Sequence, residues 1–278
     1  MSKELDFYAG EVTRGRMTRR EFMGKAAALG VAAATASTMF ADAARASGPV
    51  KGGSFKMGVQ GGESTNSQDP ALWASDVPIA GGRCWGETLT EVGPDGTVQG
   101  FVAESWEGSA DAKTWRFKIR DGIEFSNGKS VTAEDVMRTM ERHTNEDSQS
   151  GALGIVNGIE SMRVDGDVFE LTLGVGNADM PYLISDYHLV IQPNGGFDNP
   201  TAAISTGPYT LESDEPGVRM TFKRNPNYWG GDSVAYYDEV EVLTLNDATA
   251  RTAALQSGQV DSINRVEPKI ADLLGRAP

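Results

Sequence analysis

The sequence contains little cysteine and little histidine, and this scarcity excludes several kinds of site. Cys84 is the single cysteine among 278 residues, so no disulfide can form within the chain. His143 and His188 are the only histidines and stand far apart, so a zinc site of three or four His and Cys ligands is not expected. The G-x-S-x-G, H-E-x-x-H and phosphate-loop motifs are also absent. The sequence therefore predicts no enzyme activity, no metal site and no cofactor.

Basic residues are scarce relative to acidic ones. The chain has 25 Lys and Arg against 39 Asp and Glu, which gives a formal net charge of −14. The phosphates of nucleic acids and the surfaces of anionic lipids repel so acidic a chain. We therefore expect no nucleic-acid partner, and the simplest role of the charge is solubility.

The first 46 residues have the features of an export signal. Residues 18–23, TRREFM, have the form of a twin-arginine motif. The alanine-rich segment 26–40 is weakly hydrophobic and too short for a convincing membrane span. Ala-Arg-Ala at residues 44–46 matches an A-x-A cleavage site before Ser47. We interpret residues 1–46 as a signal peptide that the Tat translocon reads on the way to the periplasm. An amphipathic N-terminal helix of a cytoplasmic protein is the alternative.

Residues 101–142 contain the clearest local patterns. Trp115, Phe117 and Ile119 alternate with charged residues, which predicts a strand with one buried face. Thr132 and Asp135 have the spacing of a capping box and predict the start of an amphipathic helix.

The rest of the chain mixes strands and helices without a regular alternation. We predict a first strand near residue 55, hairpins over residues 160–173 and 209–222, and a strand over 240–245. We also predict a helix over 77–89, and a second one capped by Asn246 or Asp247 and ended by Gly258. Cys84 lies on the first of these helices and is expected to be a buried structural thiol. The pattern favours a mixed-sheet α/β fold.

Three ordered blocks of this sequence resemble a known family. They are residues 101–142, residues 205–231, which include STGPY and RNPNYWGG, and ALQSGQVD at residues 254–261. The blocks resemble the extracytoplasmic solute-binding proteins of family 5, the peptide, nickel and opine receptors of ABC transporters. The resemblance implies the α/β, mixed-sheet lobe I of a two-lobe periplasmic-binding-protein fold of type II, cluster C.

The resemblance also implies boundaries and a function. Residues 47–263 correspond to the first lobe, and residues 264–278 to the start of the hinge, truncated before lobe II. The family captures oligopeptides or related small solutes and delivers them to the permease subunits of an ABC importer. The alternative is a truncated remnant that binds no solute. Peptide, nickel chelate, opine and sugar all remain open as ligands.

The candidate ligand-binding residues come from the resemblance as well. Asp69-Pro70 matches a loop that follows the first strand in the family. In family members, the stretch after this loop pairs through its backbone with an extended ligand. Pro78 has no amide to donate, so residues 75–77 are the better candidates. The loop after the Thr132 helix approaches the ligand in peptide-binding relatives. The candidates are therefore Trp73, Ser75, Asp76, Val77, Ser150 and Gly151, and an ordinary surface loop is the alternative for each.

Overall fold

A computed structural model describes residues 3–47, 50–144, 148–231 and 234–275. The chain divides into two compact units, which we describe separately. The smaller comprises Met1–Gly52 with Pro268–Pro278, and the larger comprises Gly53–Glu267.

The smaller unit is helical. Its helices are α1 (Lys3–Thr13), α2 (Arg19–Ala28), α3 (Ala33–Ser47) and α9 (Pro268–Gly275). The twin-arginine pair begins α2, where Thr18 and Glu21 form a reciprocal capping box. Phe22 and Ala26 lie in a small apolar cluster with residues of α1 and α3. Among the described residues, no helix is both long and apolar enough to cross a membrane.

The larger unit contains a mixed five-stranded sheet in the order β11-β1-β10-β9-β8. Its strands are β1 (Ser54–Val59), β8 (Tyr209–Glu215), β9 (Arg219–Arg224), β10 (Glu239–Thr244) and β11 (Ser262–Ile263). Strand β1 runs parallel to β10 and β11, whereas β9 pairs antiparallel with both of its neighbours. Helix α4 (Asp76–Trp85) lies against β1, β8 and β10, and α8 (Ala248–Ser257) lies against β1 and β11. The mixed sheet confirms the predicted fold class.

A second sheet is antiparallel, in the order β4-β5-β7-β6. Its strands are β4 (Ala103–Gly108), β5 (Thr114–Ile119), β6 (Ile159–Asp165) and β7 (Val168–Leu173), and β2 (Thr90–Val92) pairs separately with β3 (Val98–Gly100). Helix α5 (Ala133–Thr144) lies against β6 and β7. Short helices α6 (Leu153–Val156) and α7 (Met180–Leu183) complete the set of α-helices described in this unit.

Local patterns predicted these elements well. Trp115, Phe117 and Ile119 are all buried, as their alternation requires. Thr132 and Asp135 form the capping box: each main-chain amide donates to the other residue's side chain, at 3.0 and 3.2 Å.

One detail of the predictions was wrong. The helix predicted over 77–89 ends at Trp85, because Gly86 turns the chain into an extended conformation. The cap predicted for α8 is confirmed: of Asn246 and Asp247, Asp247 accepts from the Ala250 amide, and the Asn246 side chain binds a distant loop.

Candidate ligand site

Residues 73–77, which we call the ligand segment, follow the carboxyl end of β1 and lead into α4. Asp69 caps the short 3₁₀ helix Pro70–Leu72, after which Trp73 and Ser75 have extended backbone angles. The sequence predicted a helix from Val77 onward. In the structure the helix begins one residue earlier, because Ser75 is the N-cap of α4 and Asp76 and Val77 form its first turn. Pro78, also in that turn, fits there because an amide at this position has no partner within the helix.

The ligand segment presents main-chain groups, whereas two of its side chains belong to the core. Trp73 and Val77 are buried, and the Trp73 ring packs edge-on against Trp85 at 5.8 Å. The Ser75 hydroxyl donates to the Gly61 carbonyl at 2.6 Å and does not cap the helix. In the part of the chain that the structure describes, the amides of Asp76 and Val77 therefore have no hydrogen-bond acceptor.

The Asp76 carboxylate is occupied by contacts within the larger unit. The Arg265 guanidinium donates to both of its oxygens at 2.7 and 2.9 Å, and the Asn264 amide donates at 2.7 Å. The hydrogen bond from Arg265 lowers the pKa of Asp76 below its usual value. What Asp76 offers to a ligand is therefore its main-chain amide. The sequence does not identify Arg265 and Asn264 as partners of Asp76, because no local pattern links residues so far apart along the chain.

The structure brings the second predicted loop against the ligand segment. The Gly151 amide donates to the Ala71 carbonyl at 3.2 Å, two residues before Trp73. The Ser150 hydroxyl accepts from the Ala152 amide at 3.1 Å and lies 2.5 Å from Nδ1 of His143. Ser150 is buried, and its hydroxyl stabilises the conformation of its own loop. Gly151 connects the loop to Ala71, just before the ligand segment.

Both histidines of the chain contact these loops. Burial lowers the pKa of His143 to about 4, so its ring is neutral at pH 7, and its Nδ1 is hydrogen-bonded to the Ser150 hydroxyl. His188 contacts the ligand segment directly, because its Nε2 lies 2.8 Å from the Trp73 carbonyl oxygen. On the other side of the cluster, Arg142 forms an ion pair with Asp69.

An apolar groove lies beside the start of α4. It has a volume of about 290 Å³ and is lined by Met57, Val59, Ile79 and Ile263, with Asp76 and Asn264 at its polar end. Across the described residues, no group of three or more His, Cys, Asp or Glu side chains is placed to hold a metal ion. The arrangement combines free main-chain donors with adjacent apolar surface, which suits a small organic ligand better than a bare ion.

Curated proteins with similar sequences are periplasmic binding proteins. The nickel-binding periplasmic protein of Escherichia coli K12 is 29% identical over 187 residues, which are 63% of this chain and 34% of the relative. The periplasmic oligopeptide-binding protein OppA of the same organism is 24% identical, over 63% of this chain and 36% of the relative. The chain thus spans about a third of the length of these curated relatives.

Solved structures with a similar fold include a binding protein and an ABC transporter protein. The binding protein AgaA from A. tumefaciens R10, solved with agropinic acid, aligns with a TM-score of 0.75 and 27% identity, over 81% of this chain and 46% of that one. A nickel ABC transporter structure from Bacillus halodurans aligns with a TM-score of 0.68 and 30% identity, over 82% of this chain and 46% of that one. The mixed α/β fold described above therefore matches about half of such a protein.

The family itself follows from a match over most of the chain. Residues 97–278 match the model of bacterial extracellular solute-binding proteins, family 5. That region includes all three blocks on which the sequence resemblance rested. The chain belongs to the bacterial extracellular solute-binding proteins of family 5.

Proposed function

We propose that this chain is the substrate-binding component, or one lobe of it, of an ABC importer, capturing an oligopeptide or related small solute for the permease subunits. The observation that carries the proposal is the position of the ligand segment. The amides of Asp76 and Val77 have no acceptor among the described residues, and Asp76 lines a groove of about 290 Å³. The Ser150–Gly151 loop binds the Ala71 carbonyl, two residues before the segment. Main-chain donors bind the backbone or carboxylate of a ligand without reading its side chains.

The ligand class is open among those named for similar proteins. Those names include nickel, oligopeptide and agropinic acid. We propose Ser75, Asp76 and Val77 as main-chain contacts, and Trp73, Ser150 and Gly151 as the residues that shape the loops around them.

We further propose that the protein acts in the periplasm and reaches it through the Tat translocon. The support is the twin-arginine pair at residues 19–20, followed by the alanine-rich segment and the A-x-A sequence, together with the periplasmic location named for similar proteins.

The amide of Val77 provides the test of the binding site. In Val77→Pro the amide is lost, whereas the matched control Val77→Ala loses only the buried side chain. Isothermal titration calorimetry of the 278-residue protein would use three probes: a tetra-alanine peptide, nickel with histidine, and agropinic acid. For a probe that binds, we expect about tenfold weaker affinity in Val77→Pro than in Val77→Ala, which corresponds to one lost hydrogen bond. Equal affinities of the two variants would place the site elsewhere.

A second candidate is a lobe that binds no solute by itself. The observation in its favour is that the chain covers only 34% and 36% of the two curated relatives from Escherichia coli. Absence of binding to all three probes would favour this candidate over the first.

A further inference from the structure

His188 connects the ligand segment to the chain that follows α7. The residue is 6% exposed, and both of its ring nitrogens have a close partner. Nε2 lies 2.8 Å from the main-chain oxygen of Trp73, and Nδ1 lies 2.6 Å from Oδ1 of Asp186. A carbonyl oxygen and an ionised carboxylate can only accept hydrogen bonds. Both ring nitrogens must therefore carry a proton for both bonds to form.

The Asp186 carboxylate is suited to hold such a ring. Its Oδ1 also accepts from the His188 amide at 3.0 Å. Burial raises the pKa of Asp186, but the bonds from the ring and amide of His188 outweigh this and lower it below its usual value. The carboxylate is thus ionised, and its bond to the ring is a charge-assisted one between two largely buried groups.

We propose that His188 is a positioning residue of the ligand site: as an imidazolium paired with Asp186, it holds the Trp73 carbonyl and so sets where the ligand segment lies. The role deepens the proposed function and rests on it, because what the segment binds is taken from there. The bond to Trp73 anchors the main chain two residues before the N-cap Ser75, and so constrains where the free amides of α4 stand.

The same ring also fixes the second loop of the site. A Cβ atom added at Gly151 would lie 2.3 Å from Nε2 of His188, so the loop packs on the ring only because the residue is glycine. The Gly151 amide in turn binds the Ala71 carbonyl at 3.2 Å. One side chain therefore positions both parts of the candidate site.

Groups from several elements surround the two histidine rings. The ring of Tyr187 covers it at 4.1 Å between centroids. The charged and titratable groups around the two histidines are Asp186, Tyr187, Arg83, Asp69, Arg142 and His143. His143 differs from His188 because burial lowers its pKa to about 4, and because its Nδ1 faces the Ser150 hydroxyl, a group that can donate as well as accept. We therefore assign a neutral ring to His143 and a charged ring to His188.

Nuclear magnetic resonance of the ring nitrogens tests this assignment directly. With two histidines in the chain, ¹⁵N-histidine labelling of the 278-residue protein gives two rings, and His143→Gln identifies the one that remains. At pH 7 we expect His188 to show two protonated nitrogens and His143 to show one. In Asp186→Asn we expect the His188 ring to become neutral while Nε2 still donates to Trp73. A neutral ring at His188 in the unaltered protein, or a charged one in Asp186→Asn, would overturn the proposal.

Amide hydrogen exchange tests the positioning role. Loss of the ring in His188→Gln should speed exchange of the Trp73 and Gly151 amides about tenfold, while Phe222 in the central sheet exchanges as before. In Asp186→Asn the Trp73 amide should change less, because Nε2 keeps its proton. Unchanged exchange at Trp73 in a folded His188→Gln protein would refute the role, and if that variant fails to fold, the ring spectra of Asp186→Asn still decide. Neither measurement needs a ligand. A failure of this proposal can therefore be distinguished from a failure of the proposed binding function.

Discussion

A buried carboxyl group, Glu87, gives the sharpest prediction about stability. Its side chain accepts hydrogen bonds from the Tyr228 hydroxyl at 2.6 Å and from the Thr206 hydroxyl and the Trp229 indole at 2.7 Å each. Burial nevertheless dominates and raises the pKa of Glu87 from 4.5 to about 7. The folded protein therefore holds a proton at Glu87 between these pH values that the unfolded chain releases. Stability from this group is fully present below pH 4.5 and is lost as the pH rises to 7, by about 3 kcal/mol.

His143 has the opposite effect over nearly the same range. Burial lowers its pKa from 6.5 to about 4, so the unfolded chain binds a proton that the folded protein excludes. Stability from this group is present above pH 6.5 and is lost as the pH falls to 4, again by about 3 kcal/mol. Between pH 4.5 and 6.5 the two contributions cancel, so this pair leaves the stability of the unaltered protein nearly independent of pH.

Substitution of either residue should reveal the contribution of the other. In Glu87→Gln the amide oxygen can accept from Thr206 and Trp229 while the amide nitrogen donates to the Tyr228 hydroxyl, so the hydrogen bonds survive without the titration. From pH 4 to pH 6.5 we expect the free energy of unfolding of Glu87→Gln to rise by about 3 kcal/mol relative to the unaltered protein, because of this pair only His143 then titrates. In His143→Gln the free energy of unfolding should fall by a similar amount, relative to the unaltered protein, from pH 4.5 to pH 6.5.

Urea unfolding followed by tryptophan fluorescence is the appropriate assay. All five tryptophans lie in the larger unit, so the signal reports on the part of the chain that holds both groups. Curves at pH 4, 4.5, 5.5, 6.5 and 7 would be compared between the unaltered protein, each single variant and the double variant. The difference in free energy of unfolding between the double variant and the unaltered protein should be nearly independent of pH between pH 4.5 and 6.5. Parallel pH profiles for the unaltered protein and Glu87→Gln would refute the argument that burial controls Glu87.

The remaining predictions concern export and the single thiol. Replacing Arg19 and Arg20 together by Lys should leave precursor in the cytoplasm, as measured by cell fractionation and mass spectrometry; normal amounts of processed protein in the periplasm would contradict a Tat signal. Burial raises the pKa of Cys84 to about 12, so we expect negligible reaction with Ellman's reagent at pH 8 in the folded protein and full reaction in 8 M urea. Rapid labelling of the folded protein would show that the thiol is accessible.

Much of the architecture was predictable because it depends on residues close together in sequence. The capping box of Thr132 and Asp135 spans three residues, and the left-handed Gly258 that ends α8 needs only its own lack of a side chain. The alternation in β5 likewise follows from the two-residue period of a strand. The resemblance of three blocks to family 5 also came from sequence, and the family match confirms it.

The geometry of the candidate site was decided by contacts between distant parts of the chain. The pairing of Asp76 with Arg265 and the bond of His188 to Trp73 join residues more than a hundred positions apart. No local pattern encodes such contacts, because they form only after the strands and loops have packed.

The sequence by itself thus determined the family, the mixed α/β class and most helix and strand positions, since these follow from periodicity, turns and caps. Tertiary structure alone decided that the Asp76 carboxylate is already paired, and that Glu87 and His143 are buried with opposite shifts of pKa. The physical reason is that hydrogen-bond partners and burial are properties of the packed chain, and both act over distances in space that are unrelated to separation in sequence.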